Sequence, residues 1–306
     1  MIDQIKKRLP SAVYLLCVFL AVILTGLMST DSIGNGENVY LLIVTLEIVA
    51  FMLPSIIYCH LQGFEYAKGL ELKIPELNKL PIIFSSLFAM ISLNVLFSLF
   101  LAKIGSFPSQ DMSGQGGFTG SGADVVGVIV ALCVIPAICE EFVFRSVLMR
   151  DYNKYGARFS IIITSALFAM VHFDISRLVI YFASGILLAL TVYITRSVLC
   201  SMIVHGLYNV YGMFFDGWFW SSISRNVNMT LIVFIFLAVL LVSFLIMFSE
   251  AQRLFVDYSI MGLKAPDGYE ISKKRHTDEQ SKIIAVPLIE VGICVLIFIL
   301  NMIIKG

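Results

Sequence analysis

The sequence predicts an all-α protein, a polytopic bundle of transmembrane helices with about nine spans. Three observations predict it. Of the 306 residues, 59% are hydrophobic and only 14% are Asp, Glu, Lys or Arg, where soluble domains carry roughly 25% charged residues. The apolar residues come in long runs. The basic residues gather at alternate ends of those runs. The 21 acids balance the 21 bases, so no global basic field exists with which to bind nucleic acid. The same composition excludes a soluble globule, whose surface needs charge, and a disordered chain.

A spanning helix needs about 20 mostly apolar residues. The candidate runs are 12–28, 39–60, 81–104, 124–149, 159–173, 178–195, 198–215, 228–248 and 283–304. The first follows Lys6, Lys7 and Arg8, as a signal peptide would, but no small-x-small cleavage site follows it. It therefore reads as an uncleaved anchor. The second contains a solitary acid, Glu47. The fourth contains Glu140, Glu141 and Arg145, and the fifth is short and ends beyond His172. The sixth and eighth carry no charge, and the seventh holds His205 and Asn209.

Alternate flanks sort the bases. One set holds Lys6, Lys7, Arg8, Lys68, Lys73, Lys79, Arg150, Lys154, Arg158, Arg196, Arg253, Lys264, Lys273, Lys274, Arg275 and Lys282. The other holds only Lys103, Arg177, Arg225 and Lys305. A split of 16 to four predicts a cytoplasmic N-terminus and an outer C-terminus in a multi-pass plasma-membrane protein. Losing one span would scramble the alternation. The segment 105–124 reads as a flexible Gly- and Ser-rich outer linker, and 250–282 as a charged, solvated cytoplasmic loop. The organisation expected is three N-terminal spans and the outer loop (1–123), a four-span core (124–215), and two C-terminal spans around the charged loop (216–306). Cys17, Cys59, Cys133, Cys139, Cys200 and Cys294 lie in or beside apolar runs with no CxxC pair, so they read as packing residues.

The polar residues at membrane depth bear the desolvation cost and point to function. Residues four apart share a helix face, so Glu141 and Arg145 can pair. Glu140 points about 100° away from Glu141, which leaves it free for chemistry. His205 and Asn209 share a face in the same way. By a 1.5 Å rise, Glu140 lies about 15 Å from Arg150, His205 about 14 Å from Arg196 and His172 about 21 Å from Arg158. Carboxylate, imidazoles and amide can thus converge near mid-membrane, in a cavity expected to open to the cytoplasm. A buried Glu can take a proton from water, an imidazole can share that task or bind a metal, and an imidazole with an amide can stabilise an oxyanion. This is equipment for peptide-bond hydrolysis. Glu–His chains also serve proton-coupled transport, although no repeated halves are visible. The plainest alternative is an ion-paired packing cluster.

Glu140-Glu141-x-x-x-Arg145, then Phe168-x-x-x-His172, then His205-x-x-x-Asn209 resembles the three-motif signature of the CAAX prenyl protease 2 family, also called the CPBP or Abi family of intramembrane proteases. The resemblance covers about 125–212, with Gly185 and the stretch leading into the last motif. Arg196 departs from the Thr-Gly-Ser often found there. The resemblance implies a four-helix catalytic core and an intramembrane glutamate- or metallo-endopeptidase. In it Glu140 activates water with help from His172, His205 and Asn209 stabilise the oxyanion, and Glu141 and Arg145 support the site. It also implies that any divalent metal, such as zinc, would sit on Glu140, His172 and His205. The implied partners are membrane lipid and a membrane-associated, lipidated or leader-bearing peptide. Eukaryotic relatives cleave prenylated proteins, and bacterial ones are linked to bacteriocin processing, immunity and peptide-signal maturation. A non-proteolytic immunity or scaffold protein that binds a peptide is the alternative on the same fold. Phe173-Asp174 after His172 breaks HExxH, Phe182-Ala183 before Ser184-Gly185 breaks GxSG, and Gly122-Ala123-Asp124 breaks GxGD, which disfavours other intramembrane proteases.

Overall fold

The computed structural model describes residues 14–23, 39–62, 72–103, 122–216, 220, 228–262 and 278–305. The bases at 6–8, the Gly-rich segment 105–121 and the basic run 273–275 lie outside the described residues. Among the described residues there is no strand. In lipid the backbone must satisfy its own hydrogen bonds, and the helix does so within one segment.

The helices follow one another as α1 (Tyr14–Ile23); α2 (Val39–Glu47, then Leu53–Gln62 after a π turn at Ile48–Met52); α3 (Leu80–Lys103); and α4, which starts at Gly122–Val128 and ends at Met149–Tyr152. Next come α5 (Ala157–Val171), α6 (Leu178–Thr195), α7 (Val198–Val210, continued by a π turn at Tyr211–Asp216), α8 (Met229–Ile260) and α9 (Asp278–Lys305). Six of them, α2, α3, α4, α6, α7 and α8, are long and apolar enough to cross a membrane; α1, α5 and α9 contribute shorter apolar stretches. The chain is an integral membrane protein built as an all-helical bundle.

α5, α8 and α9 differ from the expected spans, and α9 begins at Asp278 instead of 283. α5 starts at Ala157 and stops at Val171, before His172. Its 15 residues span about 22 Å, short of a hydrocarbon core of about 30 Å. α8 runs on to Ile260, so the first part of the expected charged loop is helix. Hydropathy falls at Ser249-Glu250, but the helix does not need lipid to continue. Tyr258 Oη donates to the carbonyls of Ile194 and Thr195 at 3.1 and 3.2 Å, and the Arg196 guanidinium lies 4.4 Å from the Tyr258 ring. The extension thereby caps the C-terminal end of α6.

The outward faces are apolar, as a lipid solvent requires. Phe234, Leu241, Leu245 and Phe248 on α8 are all exposed. Polar side chains point inward and bond across helices. Thr191 Oγ1 on α6 donates to Ser86 Oγ on α3 at 2.8 Å. α5 and α6 form a close antiparallel hairpin around Gly185, where a Cβ would stand 3.0 Å from the Ser165 Cβ and 3.1 Å from its Cα. Only glycine permits that approach. α7 packs on α3 and α4, so α4 to α7 enclose a common interior.

Candidate active site

α4 is not a uniform helix. A π turn at Ile129–Val134 precedes the α segment Ile135–Glu141, and a second at Phe142–Leu148 follows it. Pro136 opens that α segment and has no N–H to offer the ladder. Such one-turn widenings gather at functional sites. Here they bracket the two glutamates.

Glu141 and Glu140 have different surroundings. Glu141 is fully buried. Its Oε2 lies 3.2 Å from Arg145 Nε and accepts a hydrogen bond from Ser201 Oγ on α7. Its Oε1 is 3.0 Å from His205 Nδ1. Arg145 in turn donates from Nη2 to the Gly185 carbonyl at 3.2 Å, and its guanidinium lies 4.5 Å from the centre of the Phe168 ring. A buried charge needs such a set of partners.

Glu140 Oε2 is buried and has no hydrogen-bond partner among the described residues. Two imidazoles face it instead. His172 Nε2 lies 4.0 Å away and His205 Nε2 3.9 Å away. The other nitrogen of each ring settles its tautomer. His172 Nδ1 is 2.7 Å from the Phe168 carbonyl, which can only accept, so Nδ1 carries the hydrogen. His205 Nδ1 faces a carboxylate held by Arg145 and Ser201, and donates to it likewise. In the neutral rings both Nε2 atoms are then acceptors. Three acceptors converge on one buried spot, so its occupant is a hydrogen donor or a cation.

Packing holds the rings in place. The His172 ring stacks on Tyr181 of α6 at 4.0 Å between centroids and 20° between planes. The Phe168 ring meets His172, His205 and Phe144 edge-on, with centroids at 4.9, 5.7 and 5.4 Å.

Asn209 lies one turn beyond His205 on α7, half-buried. Its Nδ2 donates to the Cys133 carbonyl at 3.4 Å, inside the first π turn of α4. It is therefore aligned by α4 and keeps a second amide hydrogen. Glu47 lies at the start of the π turn in α2, its Oε2 buried and without a hydrogen-bond partner among the described residues. It is near enough for its charge to act on Glu140 and Cys139. The solitary acid of the second span thus belongs to the surroundings of the same site.

The residue types that hold zinc are present: two imidazole nitrogens and a carboxylate, with each Nδ1 tied to an oxygen acceptor as in ligating histidines. Among the described residues, however, no three His, Cys, Asp or Glu side chains are drawn together as a metal site. Donor type fits an ion, with the two imidazole nitrogens 4.0 and 3.9 Å from the carboxylate oxygen.

Reasoning from sequence missed Ser201, Tyr181 and the role of the Phe168 carbonyl. Ser201 was within reach, since Ser201, His205 and Asn209 recur at intervals of four on α7. Nothing in the sequence signals that Tyr181 stacks on His172, because that contact depends on how α5 and α6 pack.

Residues 122–211 match the family model described as type II CAAX prenyl endopeptidase Rce1-like. The match begins at the first residue of α4 and ends in the π turn that continues α7. No curated protein and no solved structure matches the chain. The core formed by α4 to α7, which carries Glu140, His172 and His205, is thus similar to the type II CAAX prenyl endopeptidase family of membrane proteases.

Proposed function

We propose that the protein is an intramembrane endopeptidase that hydrolyses a peptide bond of a membrane-associated, lipidated or leader-bearing peptide, using water held by Glu140, His172 and His205. The observation that carries this reading is the convergence of three acceptors, Glu140 Oε2 and two imidazole Nε2 atoms, on one buried spot. Water brings two hydrogens to it. Glu140 takes one proton as the water oxygen bonds to the peptide carbonyl carbon, and His172 holds the water by the other hydrogen. The developing oxyanion receives the free Asn209 amide hydrogen. His205, aligned through Nδ1 by the Glu141 carboxylate, completes the cradle around the water. Glu140 then returns its proton to the leaving amine as the C–N bond breaks. General acid–base help of this kind is worth roughly 10²–10⁴ in rate.

A bound divalent ion at Glu140, His172 and His205 would polarise the carbonyl or the water; no step above passes through it. Metal analysis of the purified protein decides its presence. Stoichiometric zinc that disappears in His172→Gln and His205→Gln would put the ion on this set.

The test uses the full chain in proteoliposomes, offered one peptide in prenylated and unprenylated forms and a leader-bearing peptide. Cleavage of at least one by the wild type, and none by Glu140→Gln, supports the reading. Undiminished cleavage by Glu140→Gln overturns it, and so does activity confined to no peptide bond. The distribution of bases supports a cytoplasmic N-terminus and a site that opens to the cytoplasm, in a plasma-membrane protein. Reaction of a cysteine placed at 205 with a polar thiol reagent added only from the outer side would contradict that.

A further inference from the structure

We infer that Phe173 is a positioning residue for His172, clamped by the first and last helices of the chain, so that α1 and α9 take part in catalysis without contributing a polar group to it. The inference rests on the proposed hydrolysis and deepens it.

His172 is the residue at which α5 stops, and Phe173 has φ +49°. This is the left-handed conformation that ends helices, and it is normally given to Gly or Asn because a β-carbon is unfavourable there. A phenylalanine keeps it only if its surroundings insist. They do so on two sides. The Phe173 ring stacks on Phe298 of α9 at 5.9 Å between centroids and 16° between planes. It also meets Phe19 of α1 edge-on at 5.9 Å. Phe19 and Phe298 are both buried.

The forced stop has a direct effect on the imidazole. The last four carbonyls of a helix have no N–H partner within it. With His172 as the cap of α5, these belong to Ala169, Met170, Val171 and His172. Met170 O is taken by the Phe173 N–H at 3.1 Å. Phe168 O is taken by His172 Nδ1 at 2.7 Å. Were α5 to continue, the N–H of residue 173 would turn to Ala169 O, and the Phe173 ring would leave Phe19 and Phe298. The tightened last turn, held in place by the rings around Phe173, sets the backbone from which the His172 ring reaches Phe168 O and turns Nε2 toward Glu140. Residues 19 and 298 lie outside the matched segment 122–211, so this contact is supplied by the flanking helices.

The test compares Phe173→Gly, Phe19→Ala, Phe298→Ala and the volume-preserving Phe298→Leu with wild type, and uses the lipid-exposed Phe234→Ala as control. Glycine accepts the left-handed turn but gives the clamp nothing to hold. Phe173→Gly relieves the turn but empties the clamp, so its thermal midpoint should fall about as far as that of Phe298→Ala, while kcat falls at least about tenfold at unchanged KM, as slight misplacement of a reacting group does. Phe298→Leu should show a smaller loss in the same direction. An independent signal comes from histidine-labelled protein in micelles, which has four histidines. The His172 ring resonance, identified by its absence in His172→Gln, should be shifted by the stacked Tyr181 ring and lose that shift in Phe173→Gly and Phe298→Ala. Wild-type kcat together with an unmoved His172 resonance in Phe173→Gly overturns the clamp. If Glu140→Gln cleaves as well as wild type, hydrolysis by this site fails instead, and the His172 resonance still decides the clamp.

Discussion

Glu140 and Glu141 are neighbours in the chain, both buried at membrane depth, and their surroundings are opposite. Glu141 has Arg145, Ser201 and His205 around its two oxygens. Glu140 keeps one oxygen without any partner among the described residues and faces two nitrogen lone pairs. A carboxylate with all its bonds made holds helices together and orients what it touches. A carboxylate with a bond left open, surrounded by acceptors, is arranged for something that is not part of the protein.

The largest effect expected from this contrast is in Glu140→Gln. Turnover should fall about 10³-fold, within the range for a lost general base, while the thermal midpoint stays the same or rises. The new amide can donate to the imidazole nitrogens that face it. Equal losses of activity and stability would erase the distinction between the two glutamates. Glu141→Gln should do the reverse in emphasis, costing about 3–5 kcal/mol of stability because Arg145 would remain buried without its counter-charge. Thermal unfolding in detergent measures it, and adding Arg145→Met should recover part of the stability but not the activity. Asn209→Ala comes next, with kcat lowered about 10²-fold if its amide meets the oxyanion and KM little changed in steady-state assays. The smallest change is Ser201→Ala, which removes one of three partners of Glu141 and should cost about 1 kcal/mol. A cost there as large as that of Glu141→Gln would mean that the hydroxyl, and not the arginine, is the main support.

Part of this contrast was legible in the sequence. Glu141 and Arg145 are four apart, so one face holds both, and Glu140 falls off that face. The same spacing joins His205 to Asn209. Hydropathy located the helices that carry them, because lipid imposes length and apolarity on each span. What escaped was whatever depends on contacts between helices. The end of α8 at Ile260 is set by Tyr258 reaching the carbonyls of α6, and hydropathy carries no information about that. The left-handed Phe173 is set by rings on α1 and α9, about 150 residues upstream and 125 downstream. The π turns in α4 leave no periodic trace, since each disturbs the repeat over a single turn.

Those two π turns have a consequence for how α4 tolerates change. A π turn accommodates one residue more than the α turn it replaces, and one residue corresponds to about 100° of rotation around a helix. The segment Ile135–Glu141 is therefore set at an angle to the helical stretches on either side of it. Deleting a single apolar residue from 129–134 or from 142–148 would restore an ordinary ladder without removing any polar side chain. It would also swing the two glutamates relative to one end of their own helix. In α4, the number of residues between landmarks carries as much information as their identity, and single insertions or deletions are the changes it can least absorb.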